Sequence, residues 1–168
     1  MNFEKLINSR YSVRGYKSDP VEEVKLEKVL QAARLAPSAT NRQPYRLLVI
    51  KTEGREAELS RIYSSEWFIQ APYIICACGI ESQAWKRQSD EKNYCMADVA
   101  IAFDHLILAA TELGLGTCWI AAFDVQAARE VLALPLEYTP LFLTPLGYPN
   151  TQAHPKRRLP LSELVEYR

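Results

Sequence analysis

The sequence predicts an α+β fold in which helices cover a sheet of roughly four strands. Helical and strand patterns are mixed along the chain, but they do not follow the regular order of repeated βαβ units. The stretch APYIICACGI is apolar on both faces, which is typical of a strand in the middle of a sheet. A later helical pattern is apolar on nearly all sides, so it needs cover from several neighbouring elements.

The first half of the chain predicts helices at its start and a pair of strands after them. Residues 3–9 form a short amphipathic pattern. Asp19 followed by Pro20 is a typical helix start, because aspartate caps free N–H groups and proline lacks one. The predicted second helix extends from there to about Ala36. The elements expected next are the loop APSATNRQPY, a strand over 45–50, a short helix over 55–63 and the central strand over 71–80.

The longest predicted helix covers about 91–113 and ends at Gly114, a residue type that commonly follows a helix. Between residues 99 and 110, only Asp104 and His105 are strongly polar. A helix that is apolar on nearly all sides must be buried on nearly all sides. In a chain of this length, a partner subunit could supply part of that cover.

The last third of the chain predicts two more strands and one more helix. A short strand is expected at 117–122, and Asp124 is expected to cap a helix that continues to about Leu132. A strand follows at 141–146, where Pro145 indicates an edge position or an early stop, because proline cannot donate to a neighbouring strand. The C-terminal segment is predicted to be extended, with one short helical turn.

Composition and charge limit the kinds of function that the chain can have. The 168 residues are 48% hydrophobic and 24% charged, which is typical of one globular domain spanning 1–168. Twenty basic and 20 acidic residues give a net charge of zero, which argues against a general nucleic-acid binder. No stretch reaches the ~18 uninterrupted apolar residues of a membrane helix. The first residues have no apolar core of the kind that a secretory signal needs.

The four cysteines have neither the spacing of a zinc knuckle nor that of a redox dithiol. With two histidines in the whole chain, no metal site is expected. Thiols of this kind, without a signal sequence, favour reduced cysteines and a cytoplasmic location. The sequence also lacks a glycine-rich dinucleotide motif after a strand and lacks a Walker loop, so two common nucleotide sites are not expected.

A first polar cluster lies in the stretch SRYSVRGY, residues 9–16. Arg10, Ser12 and Arg14 alternate along the chain, so an extended segment places all three on one side. Two guanidinium groups and a hydroxyl suit a phosphate or another flat anion. The alternative is a solvated loop, since short basic clusters are common on protein surfaces.

A second cluster is the loop PSATNRQP, residues 37–44. Two prolines stiffen it, and Ser38, Asn41 and Gln43 supply hydrogen-bond donors and acceptors. Such a loop can hold the edge of a heteroaromatic ring or a polyol chain. The alternative is an ordinary connection between a helix and a strand, whose polarity needs no ligand.

A third cluster is the basic run 156–158, which lies between two prolines. An extended course there places Lys156 and Arg158 on one face, although such a run is more commonly a solvated tail. A fourth feature is LGLGTCWI, where small residues allow a tight turn and a close approach of the backbone to a ligand. Cys118 could be a nucleophile, but no histidine base accompanies it, and a buried structural thiol is favoured. Trp119 is expected in the core.

Taken together, these segments resemble the FMN-dependent flavoproteins of the nitroreductase family. The matching pieces, in the family's order, are SRYSVRGY, APSATNRQPY, ADVAIAFDHLILAATELGLGTCWI and PLGYPNTQAHPKRRLPLSELV. The resemblance implies a nitroreductase-like sandwich with a central, mostly antiparallel sheet covered by helices. It also implies a homodimer with one FMN in each of two clefts between the subunits.

The resemblance assigns the expected cofactor contacts to four places in this chain. The residues expected around the FMN phosphate are Arg10, Ser12, Lys156 and Arg158. Arg14 is expected towards the pyrimidine edge of the flavin. The residues expected to reach the same FMN from the other subunit are Pro37, Ser38, Ala39, Asn41 and Gln43. The residues expected to approach the ring system are Gly116, Thr117 and Cys118.

The implied activity is transfer of hydride from NADH or NADPH, through the flavin, to a nitroaromatic, a quinone or a similar small acceptor by a ping-pong mechanism. No side chain is expected to be catalytic, because flavin N5 carries the chemistry. Alternatives on the same scaffold are reductive dehalogenation, flavin cleavage and a non-catalytic FMN-binding dimer. A plain phosphate-binding module would leave the loop PSATNRQP unexplained.

The chain departs from the family pattern in two places. It has few residues between the strand ICACGI and the long helix, where an insert often shapes the substrate pocket. It also has Asp104 and His105 where relatives commonly carry an amide pair.

Overall fold

Four strands form one antiparallel sheet in the computed structural model, which describes all 168 residues. The strands are β1 (Tyr45–Lys51), β2 (Tyr73–Gly79), β3 (Gly116–Thr117) and β4 (Thr139–Gly147). Their order across the sheet is β1-β2-β4-β3, and all three pairings are antiparallel. The predicted α+β class and the central position of β2 are therefore confirmed.

The chain also forms six helices. They are α1 (Phe3–Ser9), α2 (Glu23–Arg34), α3 (Glu56–Leu59), α4 (Cys95–Glu112), α5 (Val125–Val131) and α6 (Leu161–Leu164). The side chain of Asp124 accepts the Ala127 N–H at 2.9 Å, which confirms the predicted cap of α5. None of the helices is both long enough and apolar enough to span a lipid bilayer.

The predicted start of the second helix is wrong. The N-cap of α2 is Glu22, whose backbone is extended, and the helix begins only at Glu23. Asp19 and Pro20 are exposed and belong to the segment that leads into the helix. Val21 between them and the helix is buried in the core, so the position of the helix is decided by packing and not by the local cap signal.

Two other predicted helix boundaries are also too wide. α3 has four residues and not nine, because the chain turns again before Tyr63. α4 begins at Cys95, not near Glu91, because residues 85–94 double back on themselves. There, the Tyr94 N–H donates to the Trp85 carbonyl at 3.0 Å, and the Arg87 N–H donates to the Lys92 carbonyl at 3.0 Å.

The core has two layers, one on each side of the sheet. Ile75 and Ala77 of β2 belong to the layer that also contains α2 and α4. Cys76 and Cys78 alternate with them and belong to the opposite layer, with α5 and the segment before β2. Both faces of β2 are covered, which explains its continuous apolar sequence.

Pro145 lies inside β4, so the prediction of an edge position or an early stop is wrong. β4 pairs with β2 on one side and with β3 on the other. The Leu143 N–H donates towards the β3 side, to the Ile120 carbonyl at 2.9 Å, so the nitrogen of Pro145 two residues later faces the same side. There, the Thr144 hydroxyl accepts the Cys118 N–H at 3.0 Å and donates to the Pro145 carbonyl at 2.8 Å. This hydroxyl bridges the gap in the ladder.

Candidate functional site

The opening loop joins the sheet beside β3. Ser12 forms a parallel bridge with Thr117, and the Val13 N–H donates to the Thr117 carbonyl at 2.9 Å. Gly116 is needed for this approach, because a Cβ there would lie 2.8 Å from Cγ2 of the buried Val13. The fold therefore brings the first predicted cluster against the predicted segment 116–118.

Cys118 is buried next to the two arginines of the opening loop. Burial raises the pKa of its thiol, and the neighbouring Arg14, Ser12 and Arg10 act in the opposite direction. The net shift is upward, so the thiol stays protonated at neutral pH. Trp119 is 37% exposed, and its ring packs edge-on against that of Phe103, with the ring centroids 4.9 Å apart. The expectation that Trp119 lies in the core is therefore only partly met.

The C-terminal segment returns along the opening loop. The Asn150 N–H donates to the Gly15 carbonyl at 2.9 Å, and the Tyr11 hydroxyl donates to the Thr151 carbonyl. Further on, the Lys156 ammonium donates to the Ile7 carbonyl at the end of α1. The opening loop and residues 150–156 therefore lie at the same corner of the sheet.

Positively charged side chains are concentrated at this corner. Lys156 is held at the Ile7 carbonyl, three residues before Arg10, and Arg158 follows two residues further along the chain. Slight desolvation and the charges of Arg10 and Arg158 lower the pKa of Lys156. None of the ion pairs in the structure includes these three residues or Arg14. Cations that repel one another and have no carboxylate partner form a suitable site for an anion with more than one charge.

The loop 37–44 has an unusual backbone. Thr40, Asn41 and Gln43 have positive φ angles of 50°, 56° and 49°, a conformation that is costly for residues other than glycine. The loop closes on itself, because the Ser38 hydroxyl accepts the Gln43 N–H at 2.9 Å and the Gln43 amide donates to the Asn41 side chain at 2.8 Å. Strain of this kind is concentrated at functional sites.

Asp98 is a residue of the candidate site that the sequence prediction missed. Its carboxylate, in the first turn of α4, accepts the Ala39 N–H at 2.8 Å and so ties the loop 37–44 to the long helix. The signal in the sequence was one acidic residue inside the otherwise apolar stretch ADVAIAF. By itself, that signal does not tell which loop the carboxylate contacts.

The structure keeps the loop 37–44 apart from the basic corner within one chain. The loop leads into Tyr45, the first residue of β1. Tyr45 pairs with Gly79 of β2, and Gly79 pairs in turn with Thr139, the first residue of β4. Gly116 pairs with Gly147 at the other end of β4. The two ends of β4 are about 27 Å apart at ~3.4 Å per residue, and β1 and β3 lie on opposite edges. Arg10 and Asn41 of one chain therefore lie at diagonally opposite corners.

Cavities at the two corners are small. One of about 190 Å³ includes Val13 and Gly116 in its wall, and another of about 270 Å³ includes Gln43. Both are below the ~300–1,000 Å³ that is usual for a small-molecule pocket. A groove of about 460 Å³ near Lys51 and Tyr73 contains none of the predicted site residues.

Comparisons with known proteins agree with this architecture. The model of the nitroreductase family matches residues 7–65 and 55–148. The crystal structure of a nitroreductase family protein from Clostridium difficile 630 is 40% identical and covers 99% of this chain and 98% of that chain, with a TM-score of 0.91. A Thermus thermophilus protein named NADH dehydrogenase is 29% identical over 193 residues, covering 95% of this chain and 92% of that protein. A Bacillus subtilis protein named FMN reductase (NAD(P)H) is 28% identical over 172 residues, covering 93% of this chain and 69% of that protein.

The chain belongs to the nitroreductase family, and it is an oxidoreductase. The resemblance that the four sequence segments indicated is confirmed, together with the fold that it implied. The individual site residues stay a prediction, and the structure adds their arrangement: one group at the basic corner and the other, Pro37 to Gln43, at the far corner.

Proposed function

We propose that this chain is an FMN-dependent NAD(P)H oxidoreductase that works as a homodimer with two shared sites. The observation that carries the proposal is the meeting of Arg10, Lys156 and Arg158 at one corner without a carboxylate partner. The relatives named FMN reductase and NADH dehydrogenase support the same cofactor and donor.

The residues at the basic corner fit a phosphate group. Arg10, Lys156 and Arg158 would neutralise its two negative charges, and the Ser12 hydroxyl would donate or accept a hydrogen bond beside them. Desolvation, together with the charges of Arg10 and Arg158, lowers the pKa of Lys156, and a bound dianion would offset the part that is due to these charges. The corner would therefore change from a repulsive cluster into a neutralised one.

The remaining residues would hold the ring system. The backbone of Gly116, Thr117 and Cys118 would approach the ring, as the family resemblance implies. Arg14 is exposed beside Cys118 and would supply a fixed positive charge at the pyrimidine edge. The loop 37–43 would come from the partner subunit, because in its own chain it lies at the opposite corner.

When bound, FMN would accept hydride from a reduced nicotinamide and pass it to a small acceptor such as a nitroaromatic or a quinone. The side chains of this protein would orient the two substrates in turn over one open face of the ring. Use of one pocket by both substrates predicts ping-pong kinetics, seen as parallel lines in double-reciprocal plots. Solvent could protonate the acceptor in an open cleft, so no side chain is needed as a general acid.

The test begins with the flavin content of the purified protein, which we expect to be yellow with about one FMN per subunit. Arg158→Ala should weaken FMN binding, because one charged hydrogen bond contributes ~1.5–3 kcal/mol. That corresponds to an increase in Kd of about 10- to 150-fold. Lys51→Ala is the matched control, because Lys51 is an exposed cation on β1 away from both corners.

Four outcomes would contradict the proposal in different ways. Colourless protein that FMN cannot reconstitute would remove the cofactor assignment. Equal FMN dissociation constants for Arg158→Ala and Lys51→Ala would remove the phosphate clamp. Bound FMN that neither NADH nor NADPH bleaches under anaerobic conditions would leave a non-catalytic FMN-binding protein, while turnover of halogenated acceptors alone would favour reductive dehalogenation.

A further inference from the structure

Asp98 is a buried carboxylate with an oxygen that has no partner. The residue is 3% exposed, and Oδ1 accepts the Ala39 N–H at 2.8 Å. Oδ2 has no hydrogen-bond partner, and no cation pairs with either oxygen. Burial of a charged group with an unsatisfied atom is costly. The position of Asp98 in the first turn of α4 offsets part of this cost, because the free N–H groups of a helix start favour a negative charge.

The loop that Asp98 contacts depends on few external hydrogen bonds. Between Ser38 and Gln43, two hydrogen bonds join the loop to residues distant in the sequence. One is the Ala39 N–H to Asp98, and the other is the Arg42 guanidinium to the Ala84 carbonyl at 3.0 Å. The Gln43 carbonyl accepts the N–H of the neighbouring Tyr45 at 2.8 Å, and at the end of the loop the Pro44 carbonyl accepts the Ile80 N–H at 2.8 Å. The remaining hydrogen bonds between Ser38 and Gln43 are internal to the loop. A loop with three left-handed residues therefore relies on very few ties to keep its shape.

We propose that Asp98 is a positioning residue that holds the loop 37–43 in the conformation that binds FMN. By fixing Ala39, the carboxylate fixes the start of the left-handed turn at Thr40 and Asn41. The exposed amides of Asn41 and Gln43 are thereby presented in one geometry. This role rests on the proposed function, since it is that function that assigns the loop to FMN.

Asp98→Ala tests the role with two readouts. In flavin-free protein, amide hydrogen exchange of residues 38–43 should accelerate at least 10-fold, while exchange in β2 stays unchanged. The Kd for FMN should rise about 10-fold or more. Asp98→Asn should retain much of the slow loop exchange and of the FMN affinity, because its amide oxygen still accepts the Ala39 N–H. Asp104→Asn, an exposed acid on the same helix, is the matched control and should change neither.

Ala39→Pro removes the same hydrogen bond from the other side. Ser38 has φ −140° and ψ 157°, which suits a residue before proline, and Ala39 is the first residue of a 3₁₀ turn, where proline is tolerated. Ala39→Pro should therefore weaken FMN binding without a change at Asp98. Combined with Asp98→Ala, its effect on the Kd should be far from additive, because both changes break one contact.

The outcomes that overturn this role are distinct from those that overturn the proposed function. Faster loop exchange in Asp98→Ala with an unchanged Kd would show that the tie does not prepare the loop for FMN. Fully additive effects of Asp98→Ala and Ala39→Pro would show that they do not act through one hydrogen bond. A wild-type protein that does not bind FMN would overturn the proposed function and this role together. Unchanged exchange in Asp98→Ala would overturn only the anchoring of the loop.

Discussion

Arg10 and Arg14 are four residues apart in one loop, yet they have different neighbours and should have different roles. Arg10 lies beside Lys156, whose pKa it helps to lower, and so would belong to the phosphate end of the proposed site. Arg14 is exposed beside Cys118 and Tyr16. We therefore expect Arg10→Ala to weaken FMN binding more than Arg14→Ala does, as measured by fluorescence titration of flavin-free protein.

Arg14→Gln should instead make the reduction potential of bound FMN more negative. A fixed cation near the pyrimidine edge stabilises the negative charge that develops there on reduction, and the neutral amide does not. Anaerobic equilibration with a reference dye measures the potential directly, with Arg10→Ala as the comparison. A potential that is unchanged in Arg14→Gln but shifted in Arg10→Ala would reverse the two assignments.

Single residues were predictable where a local pattern determines them and not where the fold brings distant residues together. The alternation of Arg10, Ser12 and Arg14 is visible in the sequence, and the bridge between Ser12 and Thr117 keeps that segment extended in the structure. The contact between Asp98 and Ala39 joins residues 59 positions apart, so no spacing in the sequence indicates it. Residues of the second kind need the structure before a role can be assigned.

At the scale of elements, the errors of the sequence prediction have one physical cause. Asp19 and Pro20 look like a helix start, and Pro145 looks like an edge residue, because these are local preferences. In the structure, burial of Val21 and the hydroxyl of Thr144 override them. The central strand β2 was predicted correctly because burial on both faces leaves its mark directly on composition.

β3 and the opening loop should depend on the absence of a side chain at Gly116. Gly116→Ala would place a Cβ 2.8 Å from Cγ2 of Val13, a residue that is 1% exposed and has no room to move. We expect a loss of ~1–3 kcal/mol in the free energy of unfolding, measured with urea, and weaker FMN binding. Val13→Ala should relieve the overlap. The double variant should therefore lose less free energy of unfolding than the two single variants lose together. Strict additivity would show that the two residues are not in contact.

The start of α2 is tied to the residue after β4 by a network that should respond to acid. The Tyr148 hydroxyl donates to Glu22 at 2.6 Å, and Lys25 pairs with Glu22 at 3.2 Å. The hydrogen bond from Tyr148 is the main cause that lowers the pKa of Glu22 from 4.5 to about 2. Because the pKa in the folded state is the lower one, this network stabilises the fold above pH 4.5, and its contribution is lost as the pH falls towards 2.

Tyr148→Phe should therefore raise the pKa of Glu22 back towards 4.5 and flatten the acid dependence of unfolding between pH 4.5 and 2. Titration of the Glu22 carboxyl carbon by NMR measures the first effect, and urea unfolding at several pH values measures the second. Tyr167→Phe, a change at a residue that is 91% exposed, serves as a control. An unchanged Glu22 pKa in Tyr148→Phe would rule out this hydrogen bond as the cause.

At the scale of the whole molecule, one chain does not bring the two groups of predicted site residues together. The two groups of predicted residues occupy opposite corners, and the cavities beside them are small. Residues 151–168 are exposed throughout, although they include Leu159, Leu161 and Leu164. Met96 and Ile101 of α4 are exposed as well. These apolar surfaces would be buried by a second subunit, so we expect light scattering to give the mass of a dimer.

A shared site can be tested by mixing two defective variants. Arg158→Ala damages the basic corner, and Asn41→Ala damages the loop 37–43. If each site combines the corner of one subunit with the loop of the other, a heterodimer has one site with both defects and one intact site. Heterodimers made with two affinity tags should then bind one FMN per dimer with wild-type affinity, although each parent homodimer binds it weakly. If both groups served a site within their own chain, every site in the heterodimer would carry one defect, and no tight site would be recovered.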